Sequence, residues 1–239
     1  MVSAMPRHRG AEPVANLRVA LAIRGWIMGQ VAEDPFAEHA LILVGHVPVL
    51  RSGQAAPDGH EARPHPTDSF YADIDSRWTG TPEGLLLHNA VPENGIELQV
   101  GRIDFGPMTG GDREREIRLL QQYFDKNHHW RHGLLGDLRN AYAGEPRLEV
   151  EEHGLFNLVG AEAVAQGGHH DAGADGVWLW GVDFGSWNFD DYFEQTGGGS
   201  GRSVFAINFG SNKQIFDAPR NPMTALLAQP WHTVAVGWG

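Results

Sequence analysis

The sequence predicts an α/β fold with a mostly parallel sheet and helices on both faces. Three largely apolar runs are typical of strands buried within a parallel sheet: His39–Val44, Val177–Gly181 and Val204–Phe209. After Asp112, apolar residues recur at helical spacing among Arg and Glu, which predicts an amphipathic helix over Arg113–Lys126 with Asp112 as its cap. Buried strands that alternate with helices favour a parallel sheet covered by helices.

Weaker signals predict the remaining elements. Asn16 is expected to cap a helix over Leu17–Gln30, and further strands are expected at Ile96–Ile103 and Thr233–Trp238. A short helix is expected around Leu226, and residues 51–95 are expected to form one long irregular stretch. The predicted organisation is a flexible tail over residues 1–15 and a single α/β domain over residues 16–239.

Composition narrows the classes of function. The 239 residues hold 18 basic and 30 acidic side chains, a net charge of -12, which argues against nucleic acid as a partner. No apolar run approaches the ~20 residues that cross a bilayer, so a membrane partner is not expected. The absence of cysteine excludes thiolate metal sites and a catalytic thiol.

The two ends of the chain give two further expectations. The segment MVSAMPRHRGAEP has no apolar core, so it does not read as a signal peptide. The last residues, HTVAVGWG, end inside a predicted strand, which favours a fragment of a longer protein. These features do not fix the cellular compartment, and an exported or cell-surface parent protein is one expectation.

The strongest candidate site follows the first predicted strand. His46, Asp58 and His60 are spread over a strand end and a Gly-containing turn, and imidazole with carboxylate suits zinc or manganese. The sheet would fix His46, and the turn at Gly59 would let Asp58 and His60 reach one ion. Alternatively, His46 binds a loop carbonyl and the turn is merely solvated.

A second group of carboxylates lies just downstream. Asp68, Asp73 and Asp75 supply the hard oxygen ligands that calcium accepts in flexible numbers, so we expect a structural ion there. The pattern has neither the glycine nor the terminal Glu of an EF-hand. The alternative is that these side chains cap turns, as Asp often does.

Other polar residues also follow predicted strands or helices. Asp183 comes directly after VWLWG and, if it lies at the same sheet end as His46, the pair could act as base and acid or share a metal. The run His169-His170-Asp171 could add a ligand, although an exposed loop explains it more simply. His128, His129 and His132 suit the negative end of a helix dipole.

Four segments resemble the gingipain-type peptidase domain, which has a caspase-like fold. They are LVGHVPV, TDSFYADID, LQVGRID and REIRLLQQYF, within Leu41–Asn127. The resemblance implies a caspase-like sheet. In that family, one strand end supplies a histidine base and the next strand supplies a cysteine nucleophile. The matching positions here are Asp183 and Ile207 or Asn208, so the thiol peptidase chemistry is absent.

Two principal hypotheses of function follow. The first is a hydrolase that uses a metal-activated water or a His/Asp acid–base pair, with His46 and Asp183 as catalytic residues, on an ester, phosphoester or amide. The second is a catalytically inactive, peptidase-like binding or structural module of a larger exported protein. A carbohydrate-active protein is a third possibility, since acidic and aromatic loops can bind sugars. The substrate stays unidentified.

Overall fold

The computed structural model describes residues 13–55, 63–80, 86–88, 96–143, 149–166, 177–184, 203–209, 215–230 and 233–238. These residues form an α/β protein with both parallel and antiparallel strand pairs. The chain forms two compact units, Met1–Asp104 and Phe105–Gly239. The predicted single domain over residues 16–239 stays a prediction beside this division.

The first unit combines two helices with three small sheets. Strands β1 and β6 pair in parallel, whereas β2 pairs with β3 and β4 pairs with β5 in antiparallel fashion. The elements in chain order are α1 (Pro13–Glu33), β1 (Ala40–Val44), β2 (Leu50–Ala55), β3 (Arg63–Thr67), α2 (Ser69–Ala72), β4 (Trp78–Gly80), β5 (Leu86–His88) and β6 (Gln99–Ile103).

The core of the first unit lies between α1, α2 and one face of the β1–β6 pair. Phe70 and Tyr71 of α2 are fully buried and pack edge to face with ring centroids 5.3 Å apart. Ala20 and Ile27 of α1 pack against them together with Leu43 of β1. Burial of these apolar groups is the main term that holds the β1–β6 pair in place.

The second unit contains a five-stranded, fully parallel sheet. Its strand order is β11-β10-β9-β7-β8. The elements in chain order are α3 (Gly106–Thr109), α4 (Arg113–Arg131), β7 (Leu138–Ala143), α5 (Glu149–Val159), a 3-10 turn (Ala161–Ala163), β8 (Val164–Gln166), β9 (Val177–Phe184), β10 (Ser203–Phe209), α6 (Pro222–Ala228) and β11 (Ala235–Trp238).

Helices α5 and α6 pack on opposite faces of this sheet. Ile207 of β10 belongs to the cluster around Leu155 of α5. The preceding residue, Ala206, packs instead against Leu226 of α6. Because successive side chains of a strand point to opposite faces, the two clusters lie on opposite sides of β10.

Side chains of helix α4 donate to backbone carbonyls at the end of α6 and in the residues between α6 and β11. The ammonium group of Lys126 donates to the carbonyls of Leu227, Gln229 and Thr233 at 2.7–3.0 Å. The Tyr123 hydroxyl donates to the carbonyl of Val234 at 2.9 Å. Carbonyls at the last turn of a helix and before a strand lack regular backbone partners, and these bonds satisfy them.

Several predicted elements are confirmed. Strands β1, β6, β9, β10 and β11 overlap their predicted positions, and α6 contains Leu226. The Asp112 side chain accepts from the backbone N–H of Arg115, so the predicted cap begins α4. The helix continues to Arg131, five residues beyond the predicted Lys126.

Three predictions are wrong in detail. β1 is not fully buried, since Ile42 is 59% and Val44 43% exposed, because only one face of the β1–β6 pair packs on the core. Helix α1 begins at Pro13, so Asn16 lies inside it instead of capping it. The stretch 51–95 is not uniformly irregular, because it contains β2 to β5 and α2.

Among the described residues, no helix is both long enough and apolar enough to cross a membrane.

Candidate functional site

His46 lies at the carboxyl end of β1, directly after a glycine turn. The register pairs Val44 with Ile103, so Gly45 comes next to the residue that follows β6. The N–H of Gly45 donates to the carbonyl of Ile103 at 2.8 Å, and its φ of 69° is a left-handed conformation that glycine adopts without strain. The chain turns here and places His46 beyond the strand end.

Asp104 joins His46 at this strand end. A ring nitrogen of His46 and a carboxylate oxygen of Asp104 lie within 4.8 Å of each other. Asp104 is buried, with 8% of its surface exposed, and His46 is half-buried. An imidazole beside a buried carboxylate can serve as a base with an orienting partner, or as two ligands of one metal ion.

Arg102 holds the same strand end together. Its guanidinium forms two hydrogen bonds with the carboxylate of Asp68, at 2.7 and 2.8 Å, and a third with the carbonyl of Val47 at 2.8 Å. The same guanidinium lies 3.9 Å from the carboxylate of Asp104. Arg102 therefore ties the loop after β1 to the start of α2 and places positive charge beside Asp104.

The pKa of Arg102 reflects this pairing. Burial alone would lower the pKa of its guanidinium, but the hydrogen-bonded Asp68 carboxylate outweighs burial, with a further contribution from Asp104, and the pKa is raised. Asp68 is thus engaged with Arg102, and its two carboxylate oxygens both accept from that side chain.

A second acidic cluster contains two of the predicted residues and one new residue. Carboxylate oxygens of Asp73, Asp75 and Glu97 lie within 4.8 Å of one another. Asp73 is buried and accepts from the N–H of Ser76 at 2.9 Å, while Glu97 accepts from the N–H of Ile74 at 2.8 Å. The cluster therefore has fixed oxygens, and Asp75 and Glu97 are exposed to the solvent that would supply a hard cation.

Arg24 braces the loop that carries this cluster. Its guanidinium donates to the carbonyl of Asp73 at 2.7 and 3.2 Å and to the carbonyl of Ser76 at 2.9 Å. The ring of Phe70 lies 5.3 Å below the guanidinium carbon. Burial lowers the pKa of Arg24, although the three cluster carboxylates oppose that effect.

The other candidate residues are only partly within the described structure. Asp58, His60 and the run 169–171 lie outside the described residues. Asp183 is described through its backbone in β9, where it pairs in register with Asn208 of β10. These are neighbouring positions near the carboxyl ends of two adjacent parallel strands, and one further residue follows each of them within its strand.

Three residues of the two clusters were missed by sequence reasoning. Asp104 follows VGRI as His46 follows LILVG, and the ends of two parallel neighbours meet, so that signal was present. Arg102 lies inside the predicted strand, and nothing in the neighbouring sequence indicates that it pairs with Asp68. Glu97 joins the cluster because the N–H of Leu98 bonds the carbonyl of Ala72, a contact that local sequence does not reveal.

Comparison with protein-family models, with curated proteins and with solved structures found no match for this chain. The resemblance to gingipain-type peptidases therefore stays a prediction, carried by the residues of the chain alone.

Proposed function

We propose that this chain is a hydrolase whose reaction is carried by His46 and Asp104 at the carboxyl ends of β1 and β6. The observation that carries this proposal is that the imidazole nitrogen of His46 and the carboxylate oxygen of Asp104 lie within 4.8 Å of each other. The Asp104 carboxylate would orient the imidazole, and His46 would take a proton from an attacking water. That water would attack the carbonyl carbon of an ester or amide, or the phosphorus of a phosphoester.

The same pair could also supply part of a zinc or manganese site. Three protein ligands are usual for catalytic zinc, and His46 with Asp104 supplies two donors of suitable chemistry. Asp58 and His60, which lie in sequence between β2 and β3, are our candidates for the remaining positions. A bound divalent ion would supply acidified water and a Lewis acid.

A structural calcium ion is proposed at the cluster of Asp73, Asp75 and Glu97. Three carboxylates suit a hard ion that takes six to eight oxygens, with water completing the shell. The carboxylate of Asp68 is committed to Arg102, so we assign Asp68 to support of the strand end instead.

The second candidate is an inactive, peptidase-like binding module with a caspase-like arrangement. One observation favours it: Asp183 matches the position of the family's histidine, and its register partner on the adjacent strand is Asn208, one of the two residues at the cysteine position beside Ile207. In such a module this strand end has kept its arrangement and lost its nucleophile. The module would bind its partner without turnover.

Hydrolysis of chromogenic esters, phosphoesters and peptides by the full chain separates the two candidates. For the hydrolase we expect turnover that His46→Ala and Asp104→Asn each reduce by about 100-fold or more, the range of general base catalysis. His39→Ala is the matched control, because His39 binds the carbonyl of Asp34 at 2.8 Å on an exposed loop. If none of these substrates is hydrolysed, or if His46→Ala keeps the full activity, the result supports the binding module. Loss on chelation and recovery with zinc or manganese would indicate the metal-assisted form.

A further inference from the structure

The C-terminal end of helix α4 carries three histidines, and two of them face each other. His128 and His132 are separated by one helical turn, and the N–H of His132 donates to the carbonyl of His128 at 3.1 Å. Their ring centroids are 4.2 Å apart with planes tilted by 42°. His129, on a different helical row, has its ring 6.2 Å from that of His128.

Both rings are exposed, so their nitrogens are accessible to ions from solvent. Histidines at positions i and i+4 of a helix share one face, which is the spacing by which helical zinc sites hold a metal. Ligating nitrogens bound at 2.0–2.1 Å to one tetrahedral ion lie about 3.4 Å apart. Rings whose centroids are 4.2 Å apart reach that separation by small rotations, since the nitrogens lie on the ring perimeter.

The electrostatic setting also favours a cation. The last turn of a helix carries the negative end of its dipole, and a metal ion there gains the same interaction that protonated histidine would. Asp125 precedes His128 by three positions and His132 by seven, so it lies on the same side of the helix. The competing cation, Arg131, donates to the side-chain oxygen of Asn127 at 2.8 Å.

We propose that His128 and His132 form an exposed two-histidine chelate for a first-row transition-metal ion, such as Ni²⁺, Cu²⁺ or Zn²⁺. Two imidazole nitrogens bind the ion and water completes its shell. Imidazole ligands prefer these ions to Ca²⁺ and Mg²⁺, and affinity is expected to rise from Zn²⁺ or Ni²⁺ to Cu²⁺. The bound ion bridges the last turn of α4 and resists fraying there. This site shares no residue with the proposed hydrolytic site.

Calorimetric titration of the chelator-treated, dialysed full chain with Ni²⁺ tests the proposal. His128→Ala and His132→Ala are each expected to remove one equivalent of binding, or to weaken it at least tenfold. His129→Ala is the matched control, since it removes a neighbouring exposed histidine from the same helix and should leave that equivalent in place. His46→Ala should leave it as well, which distinguishes this ion from one bound by the proposed hydrolytic residues.

A second readout locates the ion directly. In histidine ring NMR spectra, Zn²⁺ is expected to shift the resonances of His128 and His132 and to leave those of His39 unchanged. Equal Ni²⁺ stoichiometry and affinity in wild type and in the His128→Ala, His132→Ala double variant would overturn the proposal, as would equal loss in His129→Ala. The circular dichroism of each variant verifies that the exposed substitutions leave the fold intact.

Discussion

Arg102 and Asp68 form a two-pronged ion pair inside the first unit. The Arg102 Nε lies 2.8 Å from one carboxylate oxygen, and Nη2 lies 2.7 Å from the other. The two side chains are 7% and 12% exposed, so water screens the pair weakly. Because Arg102 also binds the carbonyl of Val47, the pair sets the path of the chain on which His46 lies.

Replacing Arg102 by methionine is expected to destabilise the first unit by about 3–5 kcal/mol, the usual cost of removing one partner of a buried ion pair. The carboxylate of Asp68 would be left buried without its donor. Urea unfolding followed by fluorescence measures the change. Arg102→Lys keeps the charge but loses the fork of donors, so it should recover only part of the stability.

The matched control for this prediction is Arg118→Met. Arg118 lies 3.9 Å from Glu114, and the two side chains are 65% and 90% exposed. Exposed pairs of this kind contribute little, so the unfolding midpoint should hardly move. Equal shifts for the Arg102 and Arg118 variants would show that the buried fork has no special role.

Gly181→Ala is expected to destabilise the five-stranded sheet by about 1–3 kcal/mol, the cost of overpacking a core. A Cβ at this position would meet the ring of Tyr142 on the neighbouring strand at 2.6–2.8 Å. Tyr142 is buried, so its ring cannot turn away freely. Thermal unfolding of the variant measures the loss.

Gly101→Ala serves as the control, because a Cβ in that strand meets nothing within 4 Å. It should be neutral or slightly stabilising, since alanine loses less chain entropy on folding than glycine. Adding Tyr142→Ala to Gly181→Ala should remove the clash, so the two effects should not be additive. Simple additivity would count against the clash as the cause.

The stability of the second unit is expected to rise between about pH 7 and pH 10.5 because of Lys126. Burial lowers the pKa of Lys126 from 10.5 to about 7. Below pH 7 the folded and unfolded chains both carry this proton, and above 10.5 neither does. Between these values the unfolded chain binds more protons, so the free energy of unfolding increases with pH.

The size of this rise is limited by the hydrogen bonds of the ammonium group. At 1.36 kcal/mol per pKa unit, the full span would be at most about 5 kcal/mol. Three carbonyl acceptors favour the charged form, so we expect a smaller rise. Urea unfolding across this pH range should show the rise in wild type and its loss in Lys126→Met. Tyr123→Phe removes the hydrogen bond to Val234 but keeps Lys126. This variant should show the same rise in stability below about pH 10, the pH range below the usual pKa of a tyrosine.

The strands of the larger sheet were predictable where the sequence is continuously apolar. Val204–Phe209 is such a run, and it forms β10. β7 was missed because Arg139 and Asn140 interrupt its apolar pattern. β3 contains Pro64 and Pro66, which argue against a strand by propensity, yet it pairs with β2 in an isolated two-stranded sheet.

In the candidate clusters too, neighbours in sequence could be predicted, whereas contacts between distant segments could not. Asp73 and Asp75 could be predicted as a pair because they are close in sequence. Their separation from Asp68 could not, since it depends on Arg102, which lies 34 residues further along and draws Asp68 into an ion pair. Contacts that join distant segments follow from tertiary packing, and no local pattern specifies them.

Calcium is expected to raise the melting temperature of the protein through Asp75. The carboxylates of Asp73, Asp75 and Glu97 are close enough to repel one another, and a divalent ion relieves that repulsion while it binds their oxygens. An ion that binds only the folded state stabilises it by about 2.7 kcal/mol at 100 times its dissociation constant. Asp75→Asn should abolish the calcium-dependent shift, and Glu38→Gln, an exposed residue between α1 and β1, should keep it. If calcium shifts wild type and Asp75→Asn equally, the ion binds elsewhere. If calcium has no effect on wild type, the three carboxylates do not form a calcium site.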